Sequence, residues 1–188
     1  MKQTGARMTA QGRLPGDLDK DTLLEQIIRV DQAGEYGAKR IYEGQLAVLG
    51  KSDAAPILRE MLAQEEKHLS KFNGLMLERG VRPTALEPLW HVAGFALGAA
   101  TALMGKEAAM ACTAAVEDVI GEHYAEQTAQ LGDDERELRE TISAFRSDEM
   151  HHRDVSLEQG AESAPAYIPL TTAIKAGTRL AIWLSKRI

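Results

Sequence analysis

Two glutamate–histidine pairs with identical spacing constrain the fold of this chain more than any other feature. His68 follows Glu65 by three residues and His152 follows Glu149 by three, and no other glutamate has a histidine at this spacing. Residues three apart on an α-helix point to the same side, and both pairs lie on apolar stripes. Charged side chains are rarely buried without a partner. The pattern therefore indicates a cation between the two pairs inside the fold.

The composition favours an all-α protein. Aromatic residues make up only 5% of the 188 positions, and the chain is rich in Ala, Leu, Glu and Arg, which are strong helix formers. A chain of this length can bury one hydrophobic core. We expect residues 1–20 to be a flexible leader, because they lack the apolar core of a secretory signal. Residues 21–188 are expected to form a single domain.

Charge is distributed unevenly along the chain. The net charge is −6, yet no acidic residue follows Glu162. An acidic body with a basic tail argues against general nucleic-acid binding and is compatible with contact with an anionic membrane. The single cysteine, Cys112, excludes an internal disulfide and predicts a reducing, cytoplasmic setting. The basic residues of the tail are Lys175, Arg179, Lys186 and Arg187.

Apolar residues recur at helical spacing over four long segments, and each stripe contains acidic residues. Residues 21–49 include Glu35, and the segment after Pro56 includes the first pair. Residues 106–131 include Glu117, and residues 138–159 include the second pair. Glu117 follows Glu35 by 82 residues and Glu149 follows Glu65 by 84. A lone glutamate and a Glu-x-x-His pair thus occur twice in the same order.

This inventory predicts a ferritin-like four-helix bundle, in which two helices each supply one Glu and two supply Glu-x-x-His to a pair of metal ions. One interior glutamate alone is more often a salt-bridged core residue, but six such residues in the required order are not expected by chance. Carboxylate and imidazole ligands suit both iron and manganese, and zinc is less favoured, since a structural zinc site usually takes four Cys or His ligands. The candidate ligands are Glu35, Glu65, His68, Glu117, Glu149 and His152.

The sequence leaves the roles of several nearby polar residues open. Asp31 and Asp148 lie one turn before Glu35 and His152, where each either orients a ligand histidine or faces solvent. His123 is expected at the surface or beside a ligand. Tyr124 is expected to be a packed core residue, with an approach to the metals as the alternative. His91 and His151 have no supporting pattern.

Gly34 and Gly37 flank Glu35 within the first predicted helix. Each glycine lowers helix stability by up to about 1 kcal/mol relative to alanine. Their presence indicates that backbone or a ligand comes close at this point, and the alternative is a loosely packed turn.

Two further segments predict helices that contact a membrane. Between Pro88 and Gly105 no residue is charged apart from His91 when protonated, but the run is too short and too rich in Gly and Ala for a comfortable span. Residues 168–188 combine apolar side chains with the basic tail in an amphipathic pattern. We expect peripheral attachment to a membrane. The alternative is that both segments pack on the bundle or form an oligomer interface.

Several strings resemble the demethoxyubiquinone hydroxylase family of ubiquinone biosynthesis. They are RVDQAGEYGAKRIYEGQLAVLG from Arg29 to Gly50, then EEKH, AVEDVIGEHY, FRSDEMHHRD and GAESAPAY, in that order. The resemblance extends from about Asp21 to the C-terminus. It implies that the six candidate residues are the ligands of two iron ions, and that no ligand position is missing.

The resemblance also implies an activity. Members of this family are non-haem di-iron monooxygenases that use O2 to hydroxylate the ring of a polyprenylated methoxy-methyl benzoquinol, demethoxyubiquinol. A protein of this kind would lie peripherally on the cytoplasmic face of the cell membrane. A homo-oligomer or a biosynthetic complex, the length of the isoprenoid tail and the electron donor stay open, since the chain has no glycine motif for nucleotide binding.

A ferritin-like protein that oxidises iron or scavenges peroxide is the alternative function. The apolar run after Pro88 and the basic amphipathic tail argue against it, because a soluble storage or peroxidase bundle needs neither. The single cysteine also excludes the rubredoxin-type electron module of rubrerythrins.

Overall fold

The computed structural model describes residues 18–188, and all regular structure within that range is helical. The all-α prediction is therefore confirmed. The predicted leader lies outside the described residues except for residues 18–20. Asp19 accepts a hydrogen bond from the Thr22 N–H at 3.0 Å, so it caps the first helix. The helices are α1 (Lys20–Leu49), α2 (Ala55–Arg79), α3 (Glu87–Leu103), α4 (Lys106–Gln130), α5 (Arg136–Glu158) and α6 (Tyr167–Ser185).

Helices α1, α2, α4 and α5 form the predicted four-helix bundle. Tyr42 contacts Glu117 and Asp31 contacts Gln127, so α1 and α4 are antiparallel. Helices α1 and α2 are also antiparallel, because the end of α1 leads directly into α2. Helices α2 and α4 therefore run in the same direction, and α3 connects them as a crossover. One long crossover of this kind is typical of ferritin-like bundles.

The bundle core is apolar at both ends and polar in the middle. Ile28, Phe72 and Ile142 belong to the cluster at one end, and Leu58 and Met110 belong to the cluster at the other. All five side chains are fully buried. The candidate ligands lie at the level between these clusters, so apolar layers above and below separate them from solvent. Cys112 is also fully buried, as expected for a small core residue.

Helix α3 packs very closely against α1 because glycines replace side chains at the contact. A Cβ atom built on Gly98 would lie 2.0 Å from the Ile41 carbonyl oxygen, and one on Gly44 would lie 2.2 Å from the Phe95 carbonyl oxygen. The uncharged run that the sequence predicted as a buried or interfacial helix is therefore half buried. Its outer side leaves Leu89, Val92 and Leu103 exposed.

Helix α6 lies along the outside of α4 and returns to the start of α3. Lys175 donates to Asp118 at 2.5 Å and Arg179 to Glu122 at 2.9 Å, and both acids are on α4. At the other end of α6 the Trp90 indole donates to Ser185 Oγ at 3.1 Å. Among the described residues, no helix is long and apolar enough to cross a membrane.

Candidate metal centre

The six predicted ligands converge between the four bundle helices, and each is no more than 3% exposed. Their donor atoms form two groups in which the atoms lie within 4.8 Å of one another. One group contains Glu35 and His68, the other contains Glu117 and His152, and Glu65 and Glu149 belong to both. Each group thus has one glutamate and one histidine of its own. The two shared carboxylates lie between the two groups.

Both histidines turn Nδ1 towards the carboxylates. His68 Nδ1 lies 3.0 Å from Glu149 Oε1 and 3.5 Å from Glu35 Oε2. His152 Nδ1 lies 3.2 Å from Glu65 Oε1 and also 3.2 Å from Glu149 Oε2. The opposite ring nitrogens have partners outside the centre. His68 Nε2 lies 3.1 Å from Asp148 Oδ2, and His152 Nε2 pairs with Gln64 Oε1.

These outer partners select the histidine tautomer. A carboxylate or amide oxygen accepts a hydrogen bond from Nε2–H, so Nδ1 is the ring nitrogen that is left to bind a metal. Of the two alternatives for Asp148, the structure shows contact with a ligand histidine, although the side chain stays half exposed and its partner is His68 on α2 rather than His152 on its own helix. Gln64 was not predicted. The sequence offered a signal for both residues, because Gln64 and Asp148 each immediately precede the glutamate of a Glu-x-x-His pair. In the structure, each contacts the histidine of the other pair.

Two buried tyrosines support the unshared glutamates reciprocally. Tyr42 on α1 donates to Glu117 Oε1 on α4 at 2.8 Å, and Tyr124 on α4 donates to Glu35 Oε1 on α1. Each tyrosine follows the glutamate of its own helix by seven residues. Tyr124 is thus both a packed core residue and a neighbour of the centre. The role of Tyr42 was missed, although its spacing matches that of Tyr124.

The centre holds more negative charge than its hydrogen bonds can balance. Burial, followed by repulsion from neighbouring carboxylates, raises the pKa of Glu65 well above its usual range, and the pKa of Glu117 likewise. Burial also raises the pKa of Glu35. Burial disfavours the charged form of His68, but hydrogen bonds to Glu149 and Glu35 outweigh it and raise the His68 pKa to about 10.

The donor atoms fit two divalent metal ions. Both oxygens of Glu65 and of Glu149, and Nδ1 of both histidines, are buried, and among the described residues none has a hydrogen-bond partner outside the centre. Buried polar atoms in proteins are almost always paired, so a group of inward-facing donor atoms that have only one another as neighbours points to a cation. Six oxygen and nitrogen donors suit iron or manganese, and no thiolate takes part.

Comparison with known proteins agrees with this geometry. The sequence model of the family described as ubiquinone biosynthesis protein COQ7 matches residues 22–185. The chain belongs to the COQ7 family.

Three COQ7-type relatives show how far the similarity extends. The chain is 57% identical to a 3-demethoxyubiquinol 3-hydroxylase of Rhodospirillum rubrum, over 97% of this chain and 86% of the relative. It is 49% identical to the human protein named NADPH-dependent 3-demethoxyubiquinone 3-hydroxylase, mitochondrial, over 100% of this chain and 88% of the human protein. It is 43% identical to the 5-demethoxyubiquinone hydroxylase, mitochondrial, of Saccharomyces cerevisiae, over 88% of this chain and 78% of the yeast protein. The family resemblance expected from the motifs is therefore confirmed.

Asp31 and His123 form a separate buried cluster in this COQ7-family chain. Asp31 Oδ1 accepts a hydrogen bond from Gln127 Nε2 at 2.7 Å, and Gln127 Nε2 lies 3.0 Å from His123 Nε2. Burial raises the pKa of Asp31 and lowers that of His123 to about 4. Asp31 therefore does not orient a ligand histidine. His123 is only 8% exposed, so the expected surface position is wrong.

The remaining histidines lie away from the centre. His151 is exposed on α5, and His91 is exposed on α3 with its Nδ1 2.5 Å from the Tyr36 hydroxyl. Neither contacts a candidate ligand.

A cavity of about 320 Å³ lies beside the centre, between α1, α3, α4 and α6. Its walls include Gly34, which precedes Glu35, and Val116, which precedes Glu117. The cavity therefore reaches the helix positions next to two candidate ligands. Trp90 on α3 and Ser185 on α6 lie at its other end. None of the six candidate ligands is itself among the wall residues of this cavity.

Proposed function

We propose that this chain is an O2-dependent di-iron monooxygenase that hydroxylates the ring of demethoxyubiquinol in ubiquinone biosynthesis. The printed names of its relatives supply the reaction. One observation of this chain carries the chemistry, namely that two groups of buried ligands share Glu65 and Glu149. The alternative of an iron-oxidising or peroxide-scavenging protein does not account for the apolar cavity beside the centre.

Six residues would hold two iron ions. One group of ligands would be Glu35, Glu65, His68 and Glu149, and the other would be Glu65, Glu117, Glu149 and His152. The pair of ions, when bound and reduced, supplies the activation of O2 that a monooxygenase needs. Manganese suits the same donors and is the less favoured occupant.

The protein contributes orientation and a dry environment. Asp148 and Gln64 hold the two histidine rings with Nδ1 towards the centre, while Tyr42 and Tyr124 each hold one oxygen of an unshared glutamate. The apolar clusters at both ends of the bundle separate the centre from bulk water. In a site with little water, electrostatic interactions between ligands and a cation are stronger than at a surface.

The cavity beside the centre supports a prenylated substrate. Its lining is mainly apolar, and its polar side chains already have partners within the protein. Thr178 Oγ1 donates to the Ile174 carbonyl oxygen at 3.0 Å, and Ser185 Oγ accepts the Trp90 indole N–H. A polar ligand would find few free groups there, whereas an isoprenoid chain needs none. The quinol ring would lie near Gly34 and Val116, next to Glu35 and Glu117.

Peripheral attachment to a membrane is part of this proposal. Exposed apolar side chains on α3 and α6 lie on either side of the cavity, and Leu180 and Trp183 are 56% and 51% exposed. The basic tail contributes less than expected, because Lys175 and Arg179 pair with acids of α4. Arg187 stacks over the Trp183 ring at 4.1 Å. The predicted cytoplasmic-face location, and assembly into an oligomer or complex, stay predictions.

The reaction is tested by anaerobic reconstitution with Fe(II), chemical reduction, and exposure to O2 with a short-tailed demethoxyquinol. We expect a product heavier by one oxygen atom, and none from the variant Glu149→Ala. Glu140→Ala, on the exposed side of the same helix, is the matched control and should retain activity. Accumulation of Fe(III) without product would support the iron-oxidising alternative instead.

The membrane contact is tested with Leu180→Glu/Trp183→Glu and vesicles of mixed neutral and anionic lipid. Deleting α6 would be less informative, because Ile174 is buried in the core. We expect the double variant to stay in the supernatant when the wild type sediments with vesicles. Leu77→Glu is the control, since Leu77 is 86% exposed on α2. Equal sedimentation of all three proteins would refute the contact.

A further inference from the structure

Six of the eight glycines within the described helices lie on α1, α3 and α6, and they fall into two groups. Gly44, Gly94 and Gly98 are required by packing, because a Cβ atom on any of them would lie within 3.0 Å of an atom of the neighbouring helix. A Cβ atom on Gly34, Gly37 or Gly177 would meet nothing within 4 Å. Close packing therefore explains the first group and does not explain the second.

The second group lines the cavity. Gly34 and Gly37 lie on the α1 wall and Gly177 on the facing α6 wall. Glycine within a helix costs up to about 1 kcal/mol relative to alanine, so three such positions weaken two helices without a gain in packing. At the half-buried Gly34 and Gly37 a side chain would take up space along the cavity wall, whereas Gly177 is exposed where the cavity meets solvent.

We propose that the absent side chains at Gly34, Gly37 and Gly177 keep the cavity wide enough for the isoprenoid chain of the substrate, and that these positions determine how bulky a tail is admitted. This inference rests on the proposed function. The occupant is an apolar chain, because the Thr178 and Ser185 hydroxyls are engaged within the protein. The exposed apolar residues beside the cavity, Leu89 and Leu180 among them, are compatible with entry of the tail from a lipid phase.

Gly34 and Gly37 make α1 the wall at which the width of the cavity matters most for the substrate tail. They flank Glu35, whose carboxylate belongs to the candidate centre. A side chain at either position would occupy the space through which the first isoprene units must pass when the ring is close to that carboxylate. Gly177 lines the same cavity from α6.

The test compares Gly34→Leu and Gly37→Leu with Gly74→Leu. Gly74 lies in α2, is exposed, and also has nothing within 4 Å of an added Cβ, but it is not part of the cavity wall. Leucine is a much better helix former than glycine. All three variants should therefore unfold at or above the wild-type temperature, which separates loss of function from loss of fold.

Binding is measured on metal-free protein through quenching of Trp90 fluorescence by a decyl-substituted benzoquinone, in a Trp183→Phe background that leaves Trp90 as the only tryptophan. We expect at least tenfold weaker binding for both cavity variants and no change for Gly74→Leu. Gly34→Ala and Gly37→Ala, which add only a methyl group, should show smaller changes in the same direction. Equal binding by wild type and both leucine variants would overturn the inference.

Turnover supplies an independent readout. With iron-loaded protein, kcat/KM for a decyl-substituted demethoxyquinol should fall at least tenfold in Gly37→Leu, and less for the same ring without a tail. If the wild type binds the quinone but forms no hydroxylated product, the proposed function fails while the role of the cavity stands. If the wild type is active and Gly37→Leu matches Gly74→Leu, the inference fails alone.

Discussion

At the scale of single residues, the candidate centre is a concentration of charge that the protein without metal tolerates poorly. Glu65 lies among three other carboxylates that raise its pKa in addition to the effect of burial. Glu149 differs, because hydrogen bonds to His152 and His68 outweigh its burial and lower its pKa. The residues proposed to hold a cation therefore reduce the stability of the metal-free bundle, and such a cost of function to stability is common in proteins.

Glu65→Gln should stabilise the metal-free protein and abolish metal binding. The folded-state pKa of Glu65 is above the usual 4.5, so the folded form of the wild type loses stability as pH rises from about that value through the raised pKa. Glutamine removes this loss. We expect a gain in unfolding free energy at pH 8 of about 1.4 kcal/mol for each unit by which folding raises the Glu65 pKa, and a smaller gain at pH 5.

Urea unfolding at the two pH values measures this effect. Glu66→Gln is the control, because the Glu66 side chain is 56% exposed and should shift stability by less than about 0.5 kcal/mol. A metal-free Glu65→Gln protein less stable than wild type at pH 8 would contradict the account of the centre.

At the scale of elements, α1 makes three different contacts at once. One side supplies Glu35 and Tyr42 to the centre. A second side accepts α3 through contacts that only glycine allows. The third carries Gly34 and Gly37 along the cavity. Periodicity in the sequence detects the first side, since it is an apolar stripe, but it does not separate a glycine needed for packing from one needed for space.

Gly98→Ala should destabilise the protein, although alanine favours helices. The added Cβ would lie 2.0 Å from the Ile41 carbonyl oxygen, which is backbone and cannot rotate away. Overpacking of this kind costs about 1–3 kcal/mol. Gly74→Ala meets no neighbour and should stabilise by up to about 1 kcal/mol. The unfolding temperatures of the two variants should therefore shift in opposite directions. Shifts in the same direction would contradict the close packing of α3 against α1.

At the scale of the whole molecule, the bundle has an internal two-fold arrangement. Helices α1 and α2 provide one half of the candidate centre, and α4 and α5 provide the other. Each half supplies a tyrosine to the other half's glutamate and an oxygen acceptor to the other half's histidine. A metal pair would link all four helices, so binding and stability are coupled.

Anaerobic Fe(II) should raise the unfolding temperature and release protons. A ligand that binds only the folded state at 100 times its Kd stabilises by about 2.7 kcal/mol. Protons are released because Glu35, Glu65 and Glu117 have raised pKa values without metal and must ionise to bind it, so affinity should fall as pH is lowered. Calorimetric titration in buffers of different ionisation enthalpy measures the release, and Glu149→Ala should show neither effect.

The sequence alone determined the helical class, the four bundle helices and the six candidate ligands, because periodicity and Glu-x-x-His spacing are properties of single segments. It left the partners of those ligands undecided. Gln64 with His152 and Tyr42 with Glu117 join residues 88 and 75 positions apart, and such distances depend on how helices pack. For the same reason, only the tertiary structure separated Asp148, beside a ligand histidine, from Asp31, buried with Gln127.

Tertiary structure alone also decided what the small and charged residues outside the centre do. The sequence around a helical glycine does not show whether a neighbouring backbone or a cavity lies beside it. The neighbour belongs to another segment of the chain. Gly98 and Gly37 differ only in what faces them. The basic residues of α6 were equally ambiguous until α4 supplied Asp118 and Glu122 as partners, because an ion pair is defined by two segments and a sequence pattern by one.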